Sequence, residues 1–195
     1  MSWLAPPFDQ AFFAQALRKP FASASPLPSL VLPSAIESHH ARQLRVLVQP
    51  ALRPFELADQ GRFHEAAGAP HLGLLEELFD FAQGVSGRSL RVTSARTQVF
   101  RAGDYALRLE DSRRHRPPAA RWLELTLDLS AGPCPDARVV YSVSPTEHLV
   151  IAQDPGQIAL VERAATETRF DRYLSAAMGR RTASRMRVTL VDRKD

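Results

Sequence analysis

Lysine is almost absent from this chain: of 25 basic residues only Lys19 and Lys194 are lysines, and the rest are arginines. Cysteine is reduced to Cys134, which excludes an internal disulfide and makes a reducing, cytoplasmic setting the expectation. No apolar run approaches the roughly 18 residues a membrane-spanning helix needs. The opening MSWLAPPFDQ has neither a basic start nor a clean apolar stretch, so no signal peptide is expected. There is no glycine-rich phosphate loop, since Gly156 stands alone between Pro155 and Gln157, and no Gly-x-Ser-x-Gly turn of a serine hydrolase. Histidine stops at His148; the others are His39, His40, His64, His71 and His115.

What remains is a chain of 195 residues, 45% hydrophobic, enough for one sizeable core and one domain over residues 1–195. The excess of Arg, Ala and Pro fits the coding bias of a GC-rich bacterial genome. The net charge of +4 is therefore a poor sign of nucleic-acid binding, and none is expected. The last third is the most basic, carrying Arg163, Arg169, Arg172, Arg180, Arg181, Arg185, Arg187, Arg193 and Lys194. Such a run reads either as a solvated face or as a surface for an anionic ligand.

Hydrophobic periodicity divides the chain at about residue 87. Before it, Phe8, Phe12, Phe13 and Leu17 recur at helical spacing and predict a helix from Pro7 to Lys19, its aromatic stripe packed in the core. A Pro/Ser-rich link follows, with an extended piece at Leu30–Leu32. Ser34 and Glu37 have capping-box spacing and predict a second helix from Ser34, ending at Pro50. Residues 51–69 read as loop with some extended chain. A third helix runs from Pro70 through Leu72, Leu75, Leu78 and Phe79, stopped by Gly84 and Gly87. After Gly87 the period becomes two: Leu90, Val92, Thr97, Val99, then Tyr105, Leu107, Leu109 and Asp111, then Trp122–Leu129. Further short strands are predicted at Arg138–Ser144, His148–Ala152, Gln157–Glu162, Thr168–Leu174 and Arg185–Val191. Helices first and strands afterwards make an α+β protein, with residues 1–87 mainly helical and 88–195 forming a β-sandwich or barrel.

The segment Val99-Phe-Arg-Ala-Gly103-Asp104-Tyr105-Ala-Leu-Arg-Leu109-Glu110-Asp111 resembles a signature strand of the 2-oxoglutarate/Fe(II)-dependent dioxygenases, especially the prolyl 4-hydroxylase-like group. Arg121–Leu129 resembles that family's next core strand, and Asp154-Pro-Gly156-Gln-Ile-Ala-Leu-Val its turn before a later histidine. Arg187-Val-Thr189 resembles its terminal Arg-x-Ser/Thr pair, and Phe55–Phe63 its amino-terminal strands. The resemblance implies a double-stranded β-helix, or jelly-roll, core. It also implies an iron held by His-x-Asp on one strand face and a distant second histidine. Arg187, with Thr189 and Tyr105, would grip 2-oxoglutarate; Arg185 shares its strand face and could serve instead.

Aligned on Gly103-Asp104-Tyr105, the first iron histidine falls at Leu109, the carboxylate at Asp111 and the second histidine at Thr168. Of the triad only Asp111 is kept. Leu109 is expected to plug the old pocket, Glu110 to point away from Asp111, and Asp111 to pair with Arg187 or Arg185. His115 falls in what reads as an exposed loop, and a site of Asp111, Glu167 and waters matches poorly an Fe(II) oxygenase, which needs imidazole donors. The resemblance thus implies a non-catalytic binding or stabilising subunit, without iron, that pairs with an active relative, another protein or a copy of itself. The alternative is an active oxygenase using Fe(II) and 2-oxoglutarate to hydroxylate a peptide or amino-acid side chain. A third class is an architectural or nucleic-acid-associated protein that uses the basic end. Cys134, in Gly-Pro-Cys-Pro, is read as an inert thiol, and His39-His40 as a solvated helix face.

Overall fold

The computed structural model of the protein describes residues 2–114 and 116–193. The chain opens with α1 (Ala11–Ala16), α2 (Arg18–Ser23), β1 (Ser29–Leu32), α3 (Ser38–Val48), β2 (Arg53–Leu57), β3 (Gly61–Ala67) and α4 (Leu72–Ser86). It continues with β4 (Leu90–Phe100), β5 (Tyr105–Ala106), α5 (Arg108–Arg114), β6 (Arg121–Asp128), β7 (Arg138–Ser142) and β8 (His148–Ala152). It closes with β9 (Ile158–Ala164), β10 (Thr168–Asp171) and β11 (Ala183–Asp192). The helical amino-terminal part therefore also supplies three strands, two of them where loop with some extended chain was expected.

The strands run β1-β9-β6-β11-β4-β3-β5-β10-β7-β8, with β2 added on β3, all antiparallel. The sheet curls nearly closed. Val139 and Tyr141 of β7 and Ile151 of β8 pack on Ala159 and Val161 of β9, at the other end of the strand order. Phe63, Phe100, Ala106, Leu174 and Met178 fill one end of the resulting barrel.

Two-residue alternation sorts β6 and β11 into two faces. Leu123, Leu125, Leu127 and Leu129, with Met186, Val188 and Leu190, pack under the helices against Leu44, Leu74, Leu78, Phe81 and Val85. Each such leucine, fully buried, contributes about 1.5 to 3 kcal/mol. The other faces carry Glu124, Thr126, Asp128, Arg185, Arg187 and Thr189, and these too are buried. They point into the barrel.

Local detail departs from the sequence reading where packing overrides it. The first helix breaks into α1 and α2, and Phe12 is turned outward, 67% exposed. Ser34 sits at φ 54 and no side chain caps α3, which begins only at Ser38, so the expected capping box is not made. Helix α4 stops at Gly87, which takes the left-handed conformation at φ 70, but passes straight through Gly84. Gly84 is there for contact: a Cβ on it would meet the Ala14 Cβ at 2.6 Å. His39 is exposed, but His40 is buried, beside the Trp3 carbonyl. Cys134 is buried in its turn, and burial raises its thiol pKa, as an inert thiol requires. Among the described residues no helix is long and apolar enough to cross a membrane.

Gly84→Val is expected to force α1 off α4 and lower stability by about 1 to 3 kcal/mol, the usual cost of overpacking. Denaturant unfolding measures it; an unchanged midpoint would show that the two helices do not touch.

Candidate functional site

Because Leu alternates with Glu, Thr and Asp along β6, the barrel interior is built from charge. Arg163 of β9 is its centre. Its Nη1 and Nη2 donate to Asp111 Oδ1 at 3.0 Å and Oδ2 at 2.7 Å, a two-pronged guanidinium–carboxylate pair. Nη1 also donates to Glu124 Oε2 at 2.9 Å. Glu124 Oε1 accepts the Tyr141 hydroxyl at 2.8 Å and lies 2.8 Å from Arg169 Nε. Arg169 Nη2 donates to Asp171 Oδ1 at 3.3 Å, and Arg185 Nη1 donates to the same oxygen. Arg187 Nη2 stands 3.9 Å from Glu110 Oε1, and Arg114 Nη1 stands 3.6 Å from that oxygen. Four buried arginines (163, 169, 185, 187) thus face four buried carboxylates (110, 111, 124, 171). Aromatic rings wall them in: the Arg163 guanidinium lies 5.0 Å from the Trp122 ring centre and that of Arg185 4.4 Å from Phe100.

Burial penalises every one of these charges, so the pKa directions report which are compensated. Burial pushes Glu124 up, but Arg169 and Arg163 outweigh it and hold the carboxyl down to about 2. Arg163 is raised: burial lowers it, but Glu124 and the hydrogen-bonded Asp111 prevail. Arg169 is raised for the same reason, by Asp171 and Glu124 against burial. Arg185 is lowered, since burial exceeds what Asp171 returns. Glu110 and Asp128 are raised, both chiefly by burial.

The expected iron positions behave differently. The predicted strand through Leu107–Asp111 ends at Ala106, and residues 108–114 form helix α5. Two residues apart on a helix do not share a face, so the His-x-Asp geometry is not available here. Leu109 is half-buried and belongs to none of the core clusters among the described residues, whereas Glu110 and Asp111 are both buried and turn inward together. Thr168 pairs with Ser142 and faces out, because its neighbour Arg169 pairs with the inward Tyr141. Asp111 pairs with Arg163, not with Arg185 or Arg187. The Glu167 carboxylate accepts Ala164 N–H at 2.7 Å and closes a turn. His115 lies outside the described residues.

Of the expected 2-oxoglutarate residues, Arg185, Arg187 and Thr189 share one inward face of β11. Tyr105 does not join them. It adjoins Ala106, whose cross-strand partner is the inward Asp171, so Tyr105 points outward. Among the described residues Arg187 Nη1 and Nη2 find no hydrogen-bond partner, nor do the Gln98 amide and Thr126 hydroxyl on neighbouring strands. This is the part of the interior with donors to offer an anion.

An Fe(II) site does not fit these residues. Both Asp111 oxygens are taken by a guanidinium, and Oδ2 accepts Arg169 N–H at 3.2 Å as well. A dication there would have to displace Arg163, or stand against its charge. Among the described residues no three of His, Cys, Asp and Glu cluster as a metal site.

Reading the sequence missed Arg163, Arg169, Glu124, Asp171 and Tyr141 as site residues. For Glu124 a signal was present, polar and acidic residues at period two in a strand whose alternate face is leucine; Arg163, near the end of β9, carried none.

No protein-family model matches the chain, and no curated protein is similar to it in sequence. Solved structures share its fold. A Pseudomonas putida prolyl-4-hydroxylase superposes with TM-score 0.67 at 12% identity, over 92% of this chain and 99% of that one. A Trichoplax adhaerens prolyl hydroxylase in complex with a hypoxia inducible factor peptide fragment gives TM-score 0.67 at 9% identity, covering 94% and 91%. A Streptomyces hygroscopicus protein with nickel, 2-oxoglutarate and hygromycin B bound gives 0.60 at 10%, covering 86% and 84%. The fold is therefore the double-stranded β-helix of the 2-oxoglutarate/Fe(II) oxygenases.

Glu124→Gln is expected to cost about 3 to 5 kcal/mol at neutral pH, because it leaves Arg163 and Arg169 buried with too little compensation. A depressed carboxyl stabilises above its unfolded pKa and ceases to do so as pH falls through the folded one. The gap between wild type and variant, read by denaturant unfolding, should therefore be full above pH about 5 and shrink toward pH 2. A gap independent of pH would place Glu124 outside the ion network.

Proposed function

We propose that this chain is a non-catalytic protein of the oxygenase fold, a binding or stabilising subunit and not an iron oxygenase. One observation carries the reading: the single carboxylate kept from the iron triad, Asp111, is held through both oxygens by the buried Arg163 guanidinium. Helix α5 supports it, since it removes the strand geometry by which a residue at 109 and Asp111 would share a metal. So does the inward Arg169 at the other ligand position, where the related fold needs an imidazole and Thr168 faces away. A cation fixed in the chain leaves no charge for a metal to balance. Such a subunit presents its outer surfaces, not its interior, to a protein partner or a second copy.

The test is anaerobic titration of the purified chain with Fe(II), and with Ni(II) as a redox-silent probe, followed by 2-oxoglutarate. The expected result is no stoichiometric metal by elemental analysis and no succinate released. Bound iron near one equivalent with 2-oxoglutarate consumed would establish the oxygenase reading instead. Leu109→His with Thr168→His is expected not to create metal binding, because neither side chain points at Asp111 and Arg163 stays in place. Tight Ni(II) binding by that double variant would show that the barrel is an oxygenase site lacking only its histidines.

A further inference from the structure

The outer face of β5, β7 and β10 bears a groove of about 710 Å³. Its position follows from strand alternation. Arg169 and Asp171 point into the barrel, so Phe170 between them points out, beside the outward Tyr105. Tyr173 and Leu107 complete an apolar wall and are 59% and 40% exposed. Arg138 and Arg172 flank that wall. Their main chains meet where Arg172 N–H donates to Arg138 O at 3.1 Å, so the two stems start side by side. Neither guanidinium has a hydrogen-bond or ion-pair partner among the described residues, while every guanidinium of the barrel interior faces a carboxylate. Of the two acids lining the groove, Asp171 is committed inward to Arg185 and Arg169, and Asp136 accepts the Ser175 hydroxyl. Adjacent guanidinium groups without a carboxylate partner stand beside the exposed Tyr173 ring and the half-buried rings of Tyr105 and Phe170, the last of which has the Arg108 guanidinium 5.3 Å from its centre; together they form a surface complementary to carboxylates attached to an apolar side chain.

We propose that this groove docks an acidic peptide segment of a partner protein. An aromatic or aliphatic side chain of that segment would rest on Tyr105, Phe170 and Tyr173, with its carboxylates on Arg138 and Arg172. The volume matches a few side chains. A nucleic-acid strand would need a longer cationic track than two adjacent arginines. The proposal rests on the binding-subunit reading and adds the chemistry of the partner.

The test is selection of random short peptides displayed against the full chain, followed by anisotropy with the labelled winners and with labelled oligo-thymidylate. Expected are peptides rich in Asp and Glu around Phe, Tyr or Leu. Their affinity should fall roughly tenfold or more, about 1.4 kcal/mol, in Arg138→Glu/Arg172→Glu and in Tyr173→Ala. Both variants alter exposed side chains, and unchanged melting would exclude misfolding as the cause. Failure to select any peptide, winners without acidic enrichment, or acidic winners indifferent to both variants would each overturn the proposal. So would tighter binding of the oligonucleotide, which would assign the face to nucleic acid. Iron turnover would overturn the non-catalytic reading and leave the peptide result standing, so the two failures are separable.

Discussion

The contact between Arg163 and the carboxylates of Asp111 and Glu124 ties helix α5 to the paired strands β6 and β9. Removing two such charges from water costs several kcal/mol per ion, and the pair holds only where geometry and further hydrogen bonds return that energy. Here the return is distributed. Glu124 is shared with Arg169 and Tyr141, Arg169 is shared with Asp171, and Asp171 is shared with Arg185. Each member is compensated only because the next one is, so the barrel interior behaves as one unit. Arg185, at the end of the chain of pairs, is the one whose pKa burial succeeds in lowering.

This arrangement coexists with the fold of the oxygenases because the two faces of β6 and β11 are independent. Leucines and Met186 hold the helices on the outer face, whatever occupies the inner one. An interior that in the related fold offers carboxylate and imidazole to a metal offers here a carboxylate to a guanidinium. The positive charge is still opposite Asp111, but it is covalently part of β9. Likeness at about one residue in ten is likeness of the fold.

Much of the frame was legible. The change from helical to alternating period at Gly87, the Leu-Glu-Leu-Thr-Leu-Asp-Leu run of β6 and the Arg-x-Arg-x-Thr of β11 are strong local patterns, and the structure uses each of them. The site was legible only in part. Tyr105-x-Leu-x-Leu-x-Asp alternates like a strand, yet Arg108–Arg114 is rich in helix formers and places Glu110 four residues before Arg114, whose charges lie 3.6 Å apart. The helix won, and it turns Glu110 inward beside Asp111. A one-residue slip on β10 likewise exchanged Thr168 for Arg169, as any slip in a strand does. Arg163 could not be singled out, because a lone arginine at a strand end reads as surface until its three-dimensional neighbours are known.

The most direct test is anomalous diffraction from crystals grown anaerobically with excess Mn(II) and 2-oxoglutarate. The expected map shows no anomalous peak beside Asp111 and clear guanidinium density for Arg163 bridging Asp111 and Glu124. A manganese peak at coordination distance from Asp111, with Arg163 displaced, would contradict a barrel closed by its own charges.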